Sequence, residues 1–283
     1  MKYITMANLT LTEGLGSQMY HIAVLESISQ NTGHSICFFE ENNSLGKGLL
    51  LNKDIFPNLP VLTPSINQLS NEDLTVVVYP IRKDVIVDTN LYSLDRGYNY
   101  NFIGLFHSYK MWMPILDHIK HIYTPAEIIY SEAKNIIDSF KRGQRKLVSI
   151  HVRRGDYLLP LNSFFTQLSI DYYVSAMSKF NGIDCDFLVF SDDISWCKEN
   201  FANTKNLTFA EASSPIVDLF AMSMCDHNII SNSSFGMWSA VLNKNPGRKV
   251  ICPGKYCRSD LSVPFFNYNW FPDDFTPLFN GNS

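Results

Sequence analysis

Apolar positions recur at a helical period over Gln18–Asn31, where Met19, Ile22, Ala23, Leu25 and Ile28 line one face. Short apolar runs flank this stretch, Lys2–Ala7 before it and Ser35–Phe39 after it, so the pattern predicts strand, helix, strand. Gly14-Leu15-Gly16 reads as the turn into the helix and Gly33 as its C-cap. A β-loop-α-β succession is the repeating unit of a parallel sheet.

Residues 41–74 interrupt the rhythm with Asn, Leu and Pro. Strands are then predicted at Thr75–Tyr79 and Tyr100–Phe106, and helices at Tyr109–His121 and Ala126–Phe140, with Pro125 at the first turn of the second. The basic stretch Lys141-Arg142-Gly143-Gln144-Arg145-Lys146 is the best candidate for a domain boundary, and reads equally as a solvated loop between helix and strand. Beyond it the pattern becomes regular. Strands are expected at Leu147–Val152, Asp186–Phe190, Leu207–Ala210, Asn228–Ser231 and Lys249–Cys252, with helices at Ile170–Phe180, Ile194–Phe201, Ile216–Cys225 and Phe235–Asn243. Several of these strands are short apolar runs with β-branched residues, as expected when helices cover both faces of a sheet. This half is therefore read as a doubly wound α/β domain that binds ligands at the carboxyl ends of its strands. The expected organisation is an α/β domain over 1–143, a Rossmann-like domain over 144–262, and a tail over 263–283, rich in Phe, Pro and Asn, packing back on the first domain.

Composition narrows the class. At roughly 150 residues per domain, 283 residues make about two domains. A hydrophobic content of 46% excludes a wholly disordered chain. With 27 acidic against 23 basic residues the net charge is −4, which argues against nucleic acid as a partner but leaves room for a local basic pocket. The six cysteines include no C-x-x-C pair and no zinc-knuckle spacing, so they read as reduced thiols in a reducing compartment. The first residues lack the ~7–15 apolar residues of a signal peptide, and no run approaches the ~20 of a membrane helix, so a soluble, cytoplasmic chain is expected. The Asn-x-Ser/Thr triplets at Asn8, Asn42, Asn206 and Asn232 then count as chance.

The sharpest chemistry lies at Ser149-Ile150-His151-Val152-Arg153-Arg154-Gly155-Asp156-Tyr157, where a buried strand ends in one His, two Arg and one Asp. Two desolvated cations need an anion, and the planar fork of Arg suits a di- or pyrophosphate. A structural Arg–Asp bridge at a sheet edge is the plainer alternative. Ser191-Asp192-Asp193 ends the next strand. A carboxylate there can bond a guanine edge or a ribose hydroxyl, while an ordinary helix N-cap explains it as well. Ser231-Asn232-Ser233-Ser234 opens a helix, where N–H groups and hydroxyls make an anion site. Capping accounts for any one of these residues but not for four in a row. Gly14-x-Gly16 allows close backbone approach to a ligand, but the dinucleotide fingerprint is absent because position 19 is Met. Asp184-Cys185-Asp186 matches the metal-binding D-x-D of many sugar transferases but precedes its strand, at the wrong end of the sheet.

Jointly, Gly14-Leu15-Gly16-Ser17-Gln18-Met19, His151 to Tyr157, Ser191-Asp192-Asp193 with Trp196-Cys197, and Asp218 to Trp238 resemble the α-1,2-fucosyltransferase family (glycosyltransferase family 11) in its bacterial form, in the family's order. The chain departs from the family pattern at Ser17, Tyr20, Asp226 and Met237, and 40–110 shows no matching motif. The resemblance implies a GT-B-like fold of two Rossmann-like domains. It implies GDP-β-L-fucose as donor, a galactose-terminated acceptor, and an inverting reaction that usually needs no metal, from which a surface-glycan role is expected; whether the acceptor is lipid-linked, and so met at the inner membrane face, stays open. By the same resemblance, Arg153 and Arg154 hold the pyrophosphate, with Asp156 as candidate base for the galactose 2-OH, although the arginines beside it weaken it in that role. His151 lies beside the nucleotide, Asp192 or Asp193 reads guanine or ribose, and Ser231, Asn232, Ser233, Ser234 and Phe235 form the phosphate end. Gly14, Gly16 and Gln18 face the donor fucose. Other readings are a fucosyltransferase of α-1,6 or O-linkage, a metal-dependent transferase using Asp184 and Asp186, and a non-catalytic GDP-sugar binder.

Overall fold

The computed structural model describes residues 2–6, 14–37, 52–60, 74–78, 89–104, 108–210, 214–258 and 270–279. By internal contacts the chain divides into two units, Met1–Ala126 with Tyr268–Trp270, and Glu127–Asn267 with Phe271–Ser283. The predicted strand positions at 38–39, 79 and 105–106 lie outside the described residues.

In unit 1, β1 (Tyr3–Thr5), β2 (Ser35–Ile36), β3 (Leu74–Val78) and β4 (Asn99–Ile103) form a parallel sheet in the order β2-β1-β4-β3. Helix α1 (Leu15–Thr32) links β1 to β2. It begins earlier than the periodicity predicts. Gly14 is its N-cap and Gly16 lies in its first turn, so the expected Gly14–Gly16 turn is a helix start. Glycine's low helix propensity hides such a start. The exit does follow the sequence: Gly33 adopts φ 75°, the left-handed conformation of a C-cap, and its N–H bonds Ser29 O at 2.7 Å. The predicted helix Tyr109–His121 is in fact α2 (Tyr109–Trp112), a 3₁₀ turn (Met113–Ile115) and α3 (Leu116–Ile122). Pro114 explains the break, because it has no N–H to continue the helical ladder.

In unit 2, α4 (Glu127–Phe140) leads into β5 (Lys146–Val152), followed by α5 (Ile170–Ser178), β6 (Cys185–Ser191), α6 (Ile194–Asn200), β7 (Leu207–Phe209), α7 (Pro215–Ser223), β8 (His227–Ile229), α8 (Ser234–Val241), β9 (Val250–Pro253) and β10 (Thr276–Leu278). All strands of this sheet are parallel, in the order β10-β9-β8-β5-β6-β7. Helix α4 packs on α7, so it belongs to this unit. The basic stretch 141–146 is thus a helix-to-strand loop turned by Gly143 (φ 59°), and the units part at Ala126/Glu127 instead. The tail divides as well. The Trp270 ring packs edge-on to Tyr20 in unit 1 (6.3 Å between centroids), while Thr276–Leu278 extends the second sheet.

β5 is central, and Leu147 to Val152 are all buried. Beneath it, Asn228 donates to Ser149 Oγ (2.8 Å) and to Met222 O (2.9 Å), and accepts from Asn243 Nδ2 (2.8 Å). This buried amide network ties β5, α7, β8 and the end of α8 into one register. Register also sets the site. Val152 pairs with Ser191 and Ile150 with Ile229, so the residues leaving β5, β6 and β8 emerge level at one edge of the sheet.

Candidate active site at the carboxyl edge of the second sheet

Arg153 and Arg154 follow β5 directly, beside Asp192 and Asp193 from the end of β6. Arg153 Nη2 donates to Asp156 Oδ1 at 2.5 Å, and its Nη1 lies 2.8 Å from Asp192 Oδ2. Its guanidinium also sits over Tyr157, 5.6 Å from the ring centroid. The Arg154 main-chain N–H donates to Asp192 Oδ1 (2.9 Å) and its Nε to Asp193 Oδ2 (3.1 Å), and its guanidinium stacks on Trp196 at 4.0 Å. Asp193 is also the N-cap of α6, accepting from Trp196 N–H at 3.1 Å. Both carboxylates expected to read the nucleotide are therefore engaged with the arginine pair, and the capping role holds for Asp193.

Gly155 is required by this interlock. A Cβ there would lie 2.5 Å from Asp192 Oδ2. The backbone turns into a 3₁₀ segment, Gly155–Leu158, whose Tyr157 is buried and stacked on Phe165 (4.1 Å, 8°). Tyr157 Oη donates to Asn232 O at 2.8 Å.

The third strand end meets the other two through His151. Its Nδ1 is 2.8 Å from Ser231 Oγ, and its ring lies 5.3 Å from that of Phe235. Asn232 spends both amide hydrogens on the carbonyls of Thr166 (2.8 Å) and Tyr256 (2.6 Å), so it builds the loop. It is also buried, which denies access to its Asn-x-Ser triplet. Ser233 caps α8 by accepting from Phe235 N–H (3.3 Å), and Ser234 is the first helical residue. Of the four-residue polar run, Ser233 and Ser234 stand at the helix N-terminus, where amides favour an anion.

Gly14, Gly16 and Gln18 belong to unit 1, at the start of α1, where Gly16 and Gln18 are buried. Asp184 and Asp186 lie at the amino end of β6. There Arg145 bonds both carboxylates, Asp186 at 2.9 Å, as well as the Cys185 carbonyl at 2.6 Å. The D-x-D is thus an arginine clamp on the far edge of the sheet. Among the described residues no three His, Cys, Asp or Glu side chains group as a metal site.

Within this cluster two arginines meet three carboxylates. His151 adds no charge at neutral pH. Burial, reinforced by the charge of Arg153, lowers its pKa to about 3, and burial alone lowers that of His21 in α1 to about 4. Both values lie below the unfolded value of about 6.5. Below that pH the unfolded chain binds protons that the native chain refuses, so stability falls as pH drops from about 6.5 toward 4. Urea midpoints at about pH 7 and pH 5 are expected to differ less for His151→Gln than for the native chain; an equal difference contradicts this.

The sequence marks Trp196 only as part of a motif, and nothing in it marks Gly155 and Gly236 as packing requirements. The capping position of Asp193, which sets Trp196 one helical turn further on, was the available signal.

The profile of glycosyl transferase family 11 matches residues 52–271. The chain belongs to that family. It is 36% identical over 115 residues to the O-antigen biosynthesis glycosyltransferase WbnK of Escherichia coli, covering 38% of each chain. It is 28% identical over 267 residues to an Escherichia coli alpha-1,2-colitosyltransferase, covering 86% of this chain and 89% of the relative. It is also 28% identical to human galactoside alpha-(1,2)-fucosyltransferase 1, over 48% of this chain and 40% of that protein. The chain thus spans under half of WbnK and of the human enzyme but most of the colitosyltransferase. Among solved structures, the NodZ alpha-1,6-fucosyltransferase soaked with GDP-fucose superposes with a TM-score of 0.57 over 85% of this chain and 92% of NodZ, at 15% identity, a likeness of fold. This family-11 glycosyltransferase is accordingly an α/β protein of GT-B type with a parallel sheet in each unit. Among the described residues no helix is long and apolar enough to cross a membrane.

Proposed function

We propose that this family-11 enzyme moves L-fucose from GDP-β-L-fucose to the 2-OH of a terminal β-galactoside, with inversion and without a metal. The observation that carries the reading is the meeting of three motif segments at one strand edge, where two arginines are held in fixed orientations beside a helix N-terminus. In such a reaction the galactose 2-oxygen bonds to C1 of fucose as the bond from C1 to the β-phosphate oxygen breaks. Negative charge grows on the departing GDP, and guanidinium N–H groups together with the amides opening α8 suit that charge. Asp156 is the candidate acceptor of the 2-OH proton. One of its oxygens is held by Arg153, which fixes its direction.

A glycan acceptor agrees with the relatives' names, which cite O-antigen and galactoside, and an acceptor carried at the inner membrane face fits a surface-glycan role. A second reading replaces fucose by colitose, which lacks the 3-hydroxyl, because the colitosyltransferase aligns over most of both chains.

The deciding experiment is transfer to lactose from GDP-fucose and, in parallel, from the colitose nucleotide, with and without excess EDTA, with product linkage read by NMR. We expect an α-1,2-fucosyl product in equal yield with EDTA. Exclusive use of the colitose donor transfers the proposal to that sugar. An α-1,6 product, or loss of activity with EDTA, overturns the linkage or the metal-independent reading respectively.

A further inference from the structure

Arg154 is gripped on three sides from one loop and one helical turn. Asp192 holds its main-chain N–H, Asp193 holds its Nε, and the Trp196 ring lies 4.0 Å from its guanidinium carbon. Asp193 joins these contacts, because its other oxygen accepts the main-chain N–H of Trp196 and so fixes the backbone of that residue relative to the carboxylate. Trp196 in turn packs against the core cluster that includes Val152, Val189 and Cys197, so this floor rests on the sheet. The Nη1 and Nη2 groups of Arg154 have no protein partner among the described residues. Arg153 is different, since both of its Nη groups are tied to carboxylates. The paired arginines are therefore unlike. Arg153 ties two loops together, and Arg154 presents two adjacent donors on a fixed plane.

We propose that Trp196 is a positioning residue that holds the guanidinium of Arg154 as a two-pronged donor for the diphosphate of the sugar nucleotide. This rests on the donor reading above. An unsupported arginine side chain gives up much rotamer freedom when it binds, and a stacked one has given it up already. The indole face also attracts the cation without competing for its hydrogen-bonding edge. An aspartate or glutamate beneath the guanidinium would consume those donors, whereas an aromatic floor leaves them available.

The test is calorimetric binding of GDP to the full chain and to Trp196→Leu, Trp196→Phe, Arg154→Ala and the Trp196→Leu/Arg154→Ala double variant. Leucine is expected to weaken GDP roughly tenfold, and phenylalanine, which keeps a π face, to recover most of that loss. In the Arg154→Ala background the leucine change is expected to alter affinity by less than about twofold, because its effect passes through the missing guanidinium. Trp196→Met, which fills volume without a π face, replaces the leucine variant if that protein does not fold. The inference is overturned if leucine weakens GDP equally with and without Arg154, if it has no effect, or if phenylalanine is as poor as leucine. Failure of the underlying donor reading looks different: the native chain does not bind GDP, or Arg154→Ala binds it as tightly as the native chain.

Discussion

Replacing Arg154 by alanine is expected to lower kcat/KM for sugar transfer by roughly 10²–10³-fold with the fold intact, the loss typical when one preorganised donor to a developing anion is removed. The expectation follows from what Arg154 does and does not hold together. Its Nε contact to Asp193 is dispensable for α6, because the capping oxygen of Asp193 is the other one. Its removal leaves Trp196 supported by the core. The lost groups are chiefly the two Nη donors, so the cost should appear in turnover. Arg153→Ala supplies the contrast. It strips the partner from both Asp156 and Asp192, and Asp192 also holds the Arg154 amide and abuts Gly155. That variant is expected to lose activity together with thermal stability. Steady-state transfer kinetics alongside melting curves separate the two, and an Arg154→Ala enzyme with native kcat/KM refutes the assignment.

The second large effect is expected at a residue with no side chain. Gly236 lies in α8, and a Cβ there would stand 2.7 Å from His151 Nδ1, 3.2 Å from its Cγ and 3.3 Å from Ile230 Cβ. The imidazole has nowhere convenient to go, being buried, bonded to Ser231 and close to Phe235. Gly236→Ala should therefore destabilise unit 2 by about 2–3 kcal/mol, against the small gain alanine normally brings to a helix interior. Because the clash lies between β5 and the start of α8, GDP affinity should fall with it. Urea denaturation and GDP titration check both parts. Gly236→Ala combined with His151→Ala should regain stability relative to Gly236→Ala alone, since the ring is the obstacle; a double variant no more stable than the single one contradicts the argument.

How far these features could be read from the sequence depends on whether they are local. The strands β5 and β6 were legible because helices on both faces make them continuous apolar runs, and Gly33 was legible because a left-handed C-cap has a residue type of its own. β10 was not. Thr276-Pro277-Leu278 has no apolar run, and it becomes a strand only because β9 offers an edge. The motifs His151–Tyr157, Ser191–Asp193 and Ser231–Ser234 could be named from residue types, and strand register explains why they share an edge. Their division of labour could not be read. Whether Asp193 caps a helix, binds an arginine or does both depends on a side chain that reaches it from another strand. The stretch 52–110 offered no motif, yet the family profile runs through it, so its family signal is spread over many positions rather than concentrated in a few.

The six cysteines give the molecule an internal reporter. All are buried and none is in a disulfide, and burial raises Cys37 and Cys197 to about 11 and Cys252 and Cys257 to about 12, so little thiolate exists at neutral pH. A thiol reagent can then react only as fast as the surrounding structure opens. Cys37 lies in unit 1 and the other five in unit 2, so the labelling stoichiometry distinguishes the two openings. A burst of one equivalent marks the first unit breathing alone. Five equivalents arriving together mark the second unit opening as a single cooperative body, and their rate in the presence of GDP measures how strongly the nucleotide holds that body closed.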